Sequence, residues 1–123
     1  LENIAAPQAV EAISPDEKLL SVIIQIIEEK ITDPDLNVAA LSEISGFGSK
    51  QVYRKIKQLT GKSPVEYIRY IRIQKAAMLL TQNKFTISEV MYMVGFSNHS
   101  YFSKCFQREF EKTPRQFLDD LVN

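Results

Sequence analysis

The chain has 123 residues, 45% hydrophobic and 24% charged, as expected of one soluble globular domain, or two small lobes, with modest cores. No apolar run approaches the roughly 20 residues of a membrane span, and nothing at the start resembles a secretory signal. Fifteen Lys or Arg balance fifteen Asp or Glu, and one cysteine, Cys105, with one histidine, His99, excludes an intrachain disulfide and leaves no zinc set.

Residues 1–13 contain Ala5, Ala6, Pro7 and Ala12 but no periodic apolar face, and read as a linker or flexible arm. Because the sequence begins at Leu1 rather than Met, it reads as a piece excised from a longer protein, or a processed form of one. Four helix starts are then written as capping boxes, in which an N-cap hydroxyl and the Glu or Gln three residues on satisfy each other's backbone N–H groups. They are Ser14-Pro15-Asp16-Glu17, Ser63-Pro64-Val65-Glu66, Thr86-Ile87-Ser88-Glu89 and Thr113-Pro114-Arg115-Gln116. In three of them proline takes the first helical position, where its missing N–H costs nothing.

The first helix runs from about Pro15 to Ile31 on an apolar face of Leu19, Leu20, Ile23, Ile26 and Ile27, and Pro34 breaks it. Asn37 caps a short helix carrying Val38, Leu41 and Ile44, which Gly46 ends. A third helix spans about Ser49 to Thr60, with Val52, Ile56 and Leu59 expected inward, and stops at Gly61. The fourth, from Pro64 to about Thr81, is the longest. A helix from Ile87 to Val94, a turn at Gly95, a helix from about Asn98 to Phe110 and a last one from Pro114 to about Leu121 complete the chain. Phe102, Phe106 and Phe110 form the inward stripe of the sixth, and Cys105 between them reads as a small core residue.

One pattern occurs twice. Gly46-Phe47-Gly48-Ser49 and, 49 residues later, Gly95-Phe96-Ser97-Asn98 each join a short apolar helix to an amphipathic one. Gly61-Lys62-Ser63-Pro64 and, 50 residues later, Glu111-Lys112-Thr113-Pro114 close the two units. Helix, glycine-bearing turn, helix is the pattern of a helix-turn-helix, which lays its second helix in a DNA major groove. The expectation is an all-α fold of about seven helices over residues 14–123. It comprises a first helix-turn-helix at about 37–61, a linker helix at about 64–81, a second helix-turn-helix at about 86–111 and a closing helix at 114–121. Phe47 and Phe96, beside the turn glycines, are expected as core wedges rather than base-stacking groups.

The zero net charge conceals a segregation. Residues 1–45 carry nine acids and two bases, a net of −7, whereas residues 46–118 carry thirteen bases and four acids, a net of +9; Asp119 and Asp120 restore the balance. A local field of that kind is what an anionic backbone meets. On the third helix Lys50, Tyr53, Arg54 and Lys57 form a stripe opposite Val52 and Ile56; on the sixth, His99, Ser100, Ser103, Lys104 and Gln107 lie opposite Phe102 and Phe106. Such side chains can meet base edges, although for any one of them an ordinary solvated helix face is the alternative. Candidates for gripping phosphate are Ser49, Lys55, Lys57, Lys62, Ser63, Arg72, Asn98, Gln107, Arg108, Lys112 and Thr113. Ser63 and Thr113 are first of all helix caps, and Arg69 and Arg72 have a second reading as ties between the linker helix and the lobes.

The chain resembles the C-terminal DNA-binding domain of the AraC/XylS family of bacterial transcription regulators over about residues 15–121. The resemblance rests on 61–68 (GKSPVEYI), on 72–80 (RIQKAAMLL), and above all on 87–106, with Val94-Gly95-Phe96-Ser97-Asn98-His99-Ser100-Tyr101-Phe102 at its centre. It implies two helix-turn-helix lobes on one long helix. It also implies base-reading positions at Lys50, Tyr53 and Arg54 in the first lobe and at His99, Ser100, Tyr101, Ser103 and Lys104 in the second. Glu111 departs from the family, which usually has glycine there. The long acidic first helix resembles that of output domains in hybrid two-component sensor-regulators of Bacteroides-type gut bacteria; a soluble regulator with a sugar-binding barrel is the competing parent. The expected partners are double-stranded DNA and a receiver or sensor domain of the same parent chain, with a dimer in the full-length protein and no membrane contact by this segment. The setting is expected to be cytoplasmic and the role to be control of carbohydrate utilisation. No cofactor, metal or catalytic set is expected: there is no paired-carboxylate cleft and no Gly-rich phosphate loop. The alternative is a protein-interaction module whose acidic first helix docks a partner or receiver domain.

Overall fold

The computed structural model describes residues 13–122 and contains, among them, seven α-helices and no strand. They are α1 (Pro15–Glu29), α2 (Val38–Ser45), α3 (Ser49–Thr60), α4 (Pro64–Thr81), α5 (Ile87–Met93), α6 (His99–Phe110) and α7 (Pro114–Leu121). The linker expected at residues 1–13 lies, apart from the exposed Ile13, outside the described residues. No helix among them is long and apolar enough to cross a membrane.

Local chemistry explains the helix starts. At α1 the Ser14 hydroxyl accepts from the Glu17 N–H at 3.1 Å while the Ser14 N–H donates to Glu17 Oε1 at 3.0 Å. The same reciprocal pair forms at Ser63 and Glu66, at Thr86 and Glu89, and at Thr113 and Gln116. Each such cap contributes about 1 kcal/mol. Asn37 and Asn98 cap α2 and α6, their amide oxygens accepting from Ala40 and Tyr101 N–H at 3.0 and 2.8 Å. Only α3 starts without a side-chain cap, on Gly48.

The helices enclose two cores on either half of α4. Leu19, Ile23 and Ile27 of α1, Leu41 of α2 and Val52 and Ile56 of α3 pack with Tyr67 and Ile68 from the first half of α4. Ile73, Ala76, Ala77 and Leu80 from its second half pack with Val90 and Met91 of α5 and with Phe96, Phe102, Cys105 and Phe106. A helix that serves two cores in succession is buried on more than one side, so α4 shows no single apolar stripe. Phe106 sits at the centre of an aromatic cluster, 4.9 Å from Phe110 and 5.4 Å from Phe117 between ring centroids.

Two expectations need correction, and the strain expected at Glu111 is present. The first helix stops at Glu29, not Ile31: the Lys30 N–H closes it on the Ile26 carbonyl and the Asp33 N–H bonds back to the Lys30 carbonyl, both at 2.9 Å. That turn swings Ile31 off the face of α1 and into the second core. Leu59, expected inward by spacing, is 38% exposed, and Ile44 on α2 is 49% exposed. Each is the next-to-last residue of its helix. Glu111 ends α6 in the left-handed region at φ 60, where glycine avoids a cost of about 1 kcal/mol.

Candidate nucleic-acid interface

On α3 the completely buried Val52 and Ile56 fix the orientation of the opposite face. That face presents Lys50, Tyr53, Arg54 and Lys57, all exposed, and Ser49 stands exposed in the helix's first turn. No acid occurs on α3, and its first N–H groups meet no capping side chain, so both charge and dipole there favour an anion. Lys55 points elsewhere: it pairs with Asp16 of α1 at 3.0 Å, partly exposed, and its charge is partly neutralised.

On α6 the buried Phe102, Cys105 and Phe106 set the same polarity. His99, Ser100, Lys104, Gln107 and Arg108 are exposed and Ser103 is half-buried. Tyr101 is 47% exposed; its ring leans on Phe96 at 5.7 Å, and its hydroxyl accepts from Nη1 of Arg69 at 3.1 Å. Asn98 is exposed, but its amide oxygen is occupied as the α6 cap, which leaves its NH2 free to donate.

The expected phosphate contacts divide by surroundings. The Ser63 and Thr113 hydroxyls accept helix-cap bonds and keep a proton to donate. Lys62 lies over the Tyr70 ring, 5.1 Å from its centroid, Lys57 reaches the Gly61 carbonyl at 3.4 Å, and Lys112 pairs with Asp120. Arg72 is the correction. It is only 6% exposed, and its guanidinium donates to the carbonyls of Ile31, of Asp33 at 2.7 Å and of Val94 at 2.7 Å, so it is buried against backbone rather than displayed to a phosphate. Burial lowers its pKa and the Asp33 carboxylate opposes that shift; an arginine there stays cationic at neutral pH. Arg69 acts as the expected tie between linker helix and lobe, through its bond to Tyr101 of α6. A cation one turn before Arg72 on α4 was the signal, but its partner Tyr101 lies 32 residues away.

The geometry is thus two polar stripes, each on the second helix of a helix-turn-helix and each backed by a buried apolar stripe. The chain is similar to known proteins. A family model for a helix-turn-helix domain matches residues 41–120. The chain is 40% identical over 111 residues to Histidine kinase P4 of Formosa agariphila, covering 90% of this chain and 8% of that protein. It is 31% identical over 96 residues to the HTH-type transcriptional activator RhaS of Escherichia coli O139:H28, covering 78% of this chain and 34% of that protein. The chain therefore spans only a fraction of the length of both. Among solved structures, the C-terminal domain of the two-component response regulator yesN from Fusobacterium nucleatum superposes with a TM-score of 0.70 at 30% identity, covering 80% of this chain and 95% of that one.

Proposed function

Because this chain belongs to the AraC-type helix-turn-helix family of transcription-regulator DNA-binding domains, we propose that it places α3 and α6 in two successive major grooves on one face of a DNA duplex. The observation that carries the reading is the pair of exposed polar stripes, each locked outward by its own buried stripe and both mounted on α4. With 18 residues, α4 is about 27 Å long and carries the two lobes one after the other, and two groove readers must match the ~34 Å repeat of B-DNA.

In this reading Lys50, Tyr53 and Arg54 meet base edges in one groove, and His99, Ser100, Ser103 and Lys104 in the other. Tyr101 reads from beside them with a hydroxyl already oriented by Arg69. Ser49, Lys57, Lys62, Ser63, Asn98, Gln107, Arg108 and Thr113 grip the backbone, with Lys55 and Lys112 weaker contributors through their pairing with Asp16 and Asp120.

The domain is the cytoplasmic output end of a longer two-component sensor-regulator chain. The likeness to a histidine kinase over 90% of this sequence and to a response-regulator domain supports that context. A role in carbohydrate utilisation rests on the resemblance of the motifs alone.

The test is salt. If six to ten phosphates are engaged, affinity for a preferred duplex falls by roughly 10³–10⁵ between 50 and 200 mM salt. A nearly flat response contradicts the proposal.

A further inference from the structure

A helix sets the distance between two lobes seated along it, but apolar packing is non-directional and leaves their relative rotation weakly specified. One side chain here supplies direction. Arg72 lies where α4 passes from the first core, at Ile68, to the second, at Ile73. Its guanidinium donates from Nη1 to the Ile31 and Val94 carbonyls and from Nη2 to the Asp33 carbonyl. Ile31 and Asp33 belong to the connection between α1 and α2 in the first lobe, whereas Val94 ends α5 immediately before the turn that launches α6. A planar cation with fixed donor directions therefore joins the linker helix, the first lobe and the second recognition unit at one point.

Two more observations converge on that point. Gly95 stands at φ 88, and a Cβ there would overlap the Arg72 guanidinium and the Ile31 carbonyl, so the turn glycine makes room for the tie as well as for the bend. The side chain of Ile31 is buried in the second core although its neighbours α1 and α2 build the first. A buried charge held by carbonyls is weak evidence of stabilisation, since a well-packed apolar group often does as well. Its directionality is what an apolar group cannot replace.

From this convergence we infer that Arg72 is a positioning residue that holds the two recognition helices at one separation and one rotational phase, and so restricts the domain to one spacing between its two groove segments. The inference rests on the two-groove reading proposed above. Adding one base pair between the segments moves the second by about 3.4 Å and rotates it by about 35°, and a lobe tied through Arg72 cannot follow.

The experiment takes a duplex selected by the wild-type chain and adds or removes one base pair between its two contacted segments. Wild type should lose at least about tenfold in affinity at either altered spacing. Arg72→Lys retains the charge and the stem but cannot bridge three carbonyls; its spacing penalty should shrink to less than about threefold, while its base preferences within each segment persist. Because the penalty is a ratio, a uniform loss of affinity cancels from it. Arg72→Met, an apolar side chain of similar length that makes none of the three bonds, should narrow the penalty likewise and serves if Arg72→Lys shows no cooperative melt. A folded variant that keeps the full tenfold penalty overturns the inference alone. A wild-type chain that binds but tolerates every spacing overturns it together with the two-groove reading.

Discussion

Arg54 and Lys57 stand almost one turn apart on the exposed face of α3 and illustrate a division of labour. A guanidinium can grip a guanine edge with two parallel hydrogen bonds, whereas an ammonium whose reach ends near the Gly61 carbonyl is a point charge for the backbone. Arg54→Ala should therefore cost ~1–3 kcal/mol and relax preference at one base pair, while Lys57→Ala should weaken all duplexes alike. Affinities for a panel of single-base variants separate the two; equal losses on every duplex from both changes would remove Arg54 from the base readers. Other cations show why a list of Lys and Arg residues does not map an interface. Lys55 pairs with Asp16, Lys112 pairs with Asp120, and Arg72 is enclosed by carbonyls.

At the scale of elements, the capping boxes carry a pH dependence that can be checked. The Glu66 carboxylate accepts from the Ser63 N–H at 2.8 Å, and that bond, with smaller help from the Ser63 hydroxyl, holds its pKa below the ordinary 4.5. A depressed carboxylate stabilises the fold fully above its ordinary value, and the contribution disappears as pH falls through the lowered one. Urea midpoints between pH 3 and 7 should fall more steeply with acid in wild type than in Glu66→Gln, which keeps the box without the charge. Parallel curves would exclude a linked role for this carboxylate. The same boxes explain what was legible beforehand: a Ser or Thr, a proline and a Glu or Gln define a helix start within four residues, and α4 and α7 span the expected segments. The end of α1 was not legible, because Ile31 leaves the helix for a core built by residues 42 and more positions later. Nor was the exposure of Leu59, since spacing predicts a face but not how much of a helix's last turn its neighbours cover. Exposure of the α3 and α6 stripes followed from periodicity. The interior place of Arg72 did not, because its three acceptors are backbone carbonyls 22 to 41 residues away.

Over the whole molecule, the segregated charge finds a structural meaning. α1 carries Asp16, Glu17, Glu28 and Glu29 with one lysine, while α3 carries Lys50, Arg54, Lys55 and Lys57 with no acid. The contact between them, Asp16 to Lys55, lies on the side of α3 away from the proposed groove-reading stripe. In the proposed docking, an acidic first helix would disfavour DNA on its own side of the domain. The copies of the repeat differ in the same terms: α3 offers charge and long side chains, α6 mainly His99, hydroxyls and Lys104, so the first lobe should supply more electrostatic grip and the second more short-range polar contact. Selection of bound sequences from a pool of random duplex DNA tests this account most directly. It predicts two blocks of base preference whose centres lie about 10–10.5 base pairs apart, on one face of the duplex. A single block, or bound sequences without any preference, would contradict it.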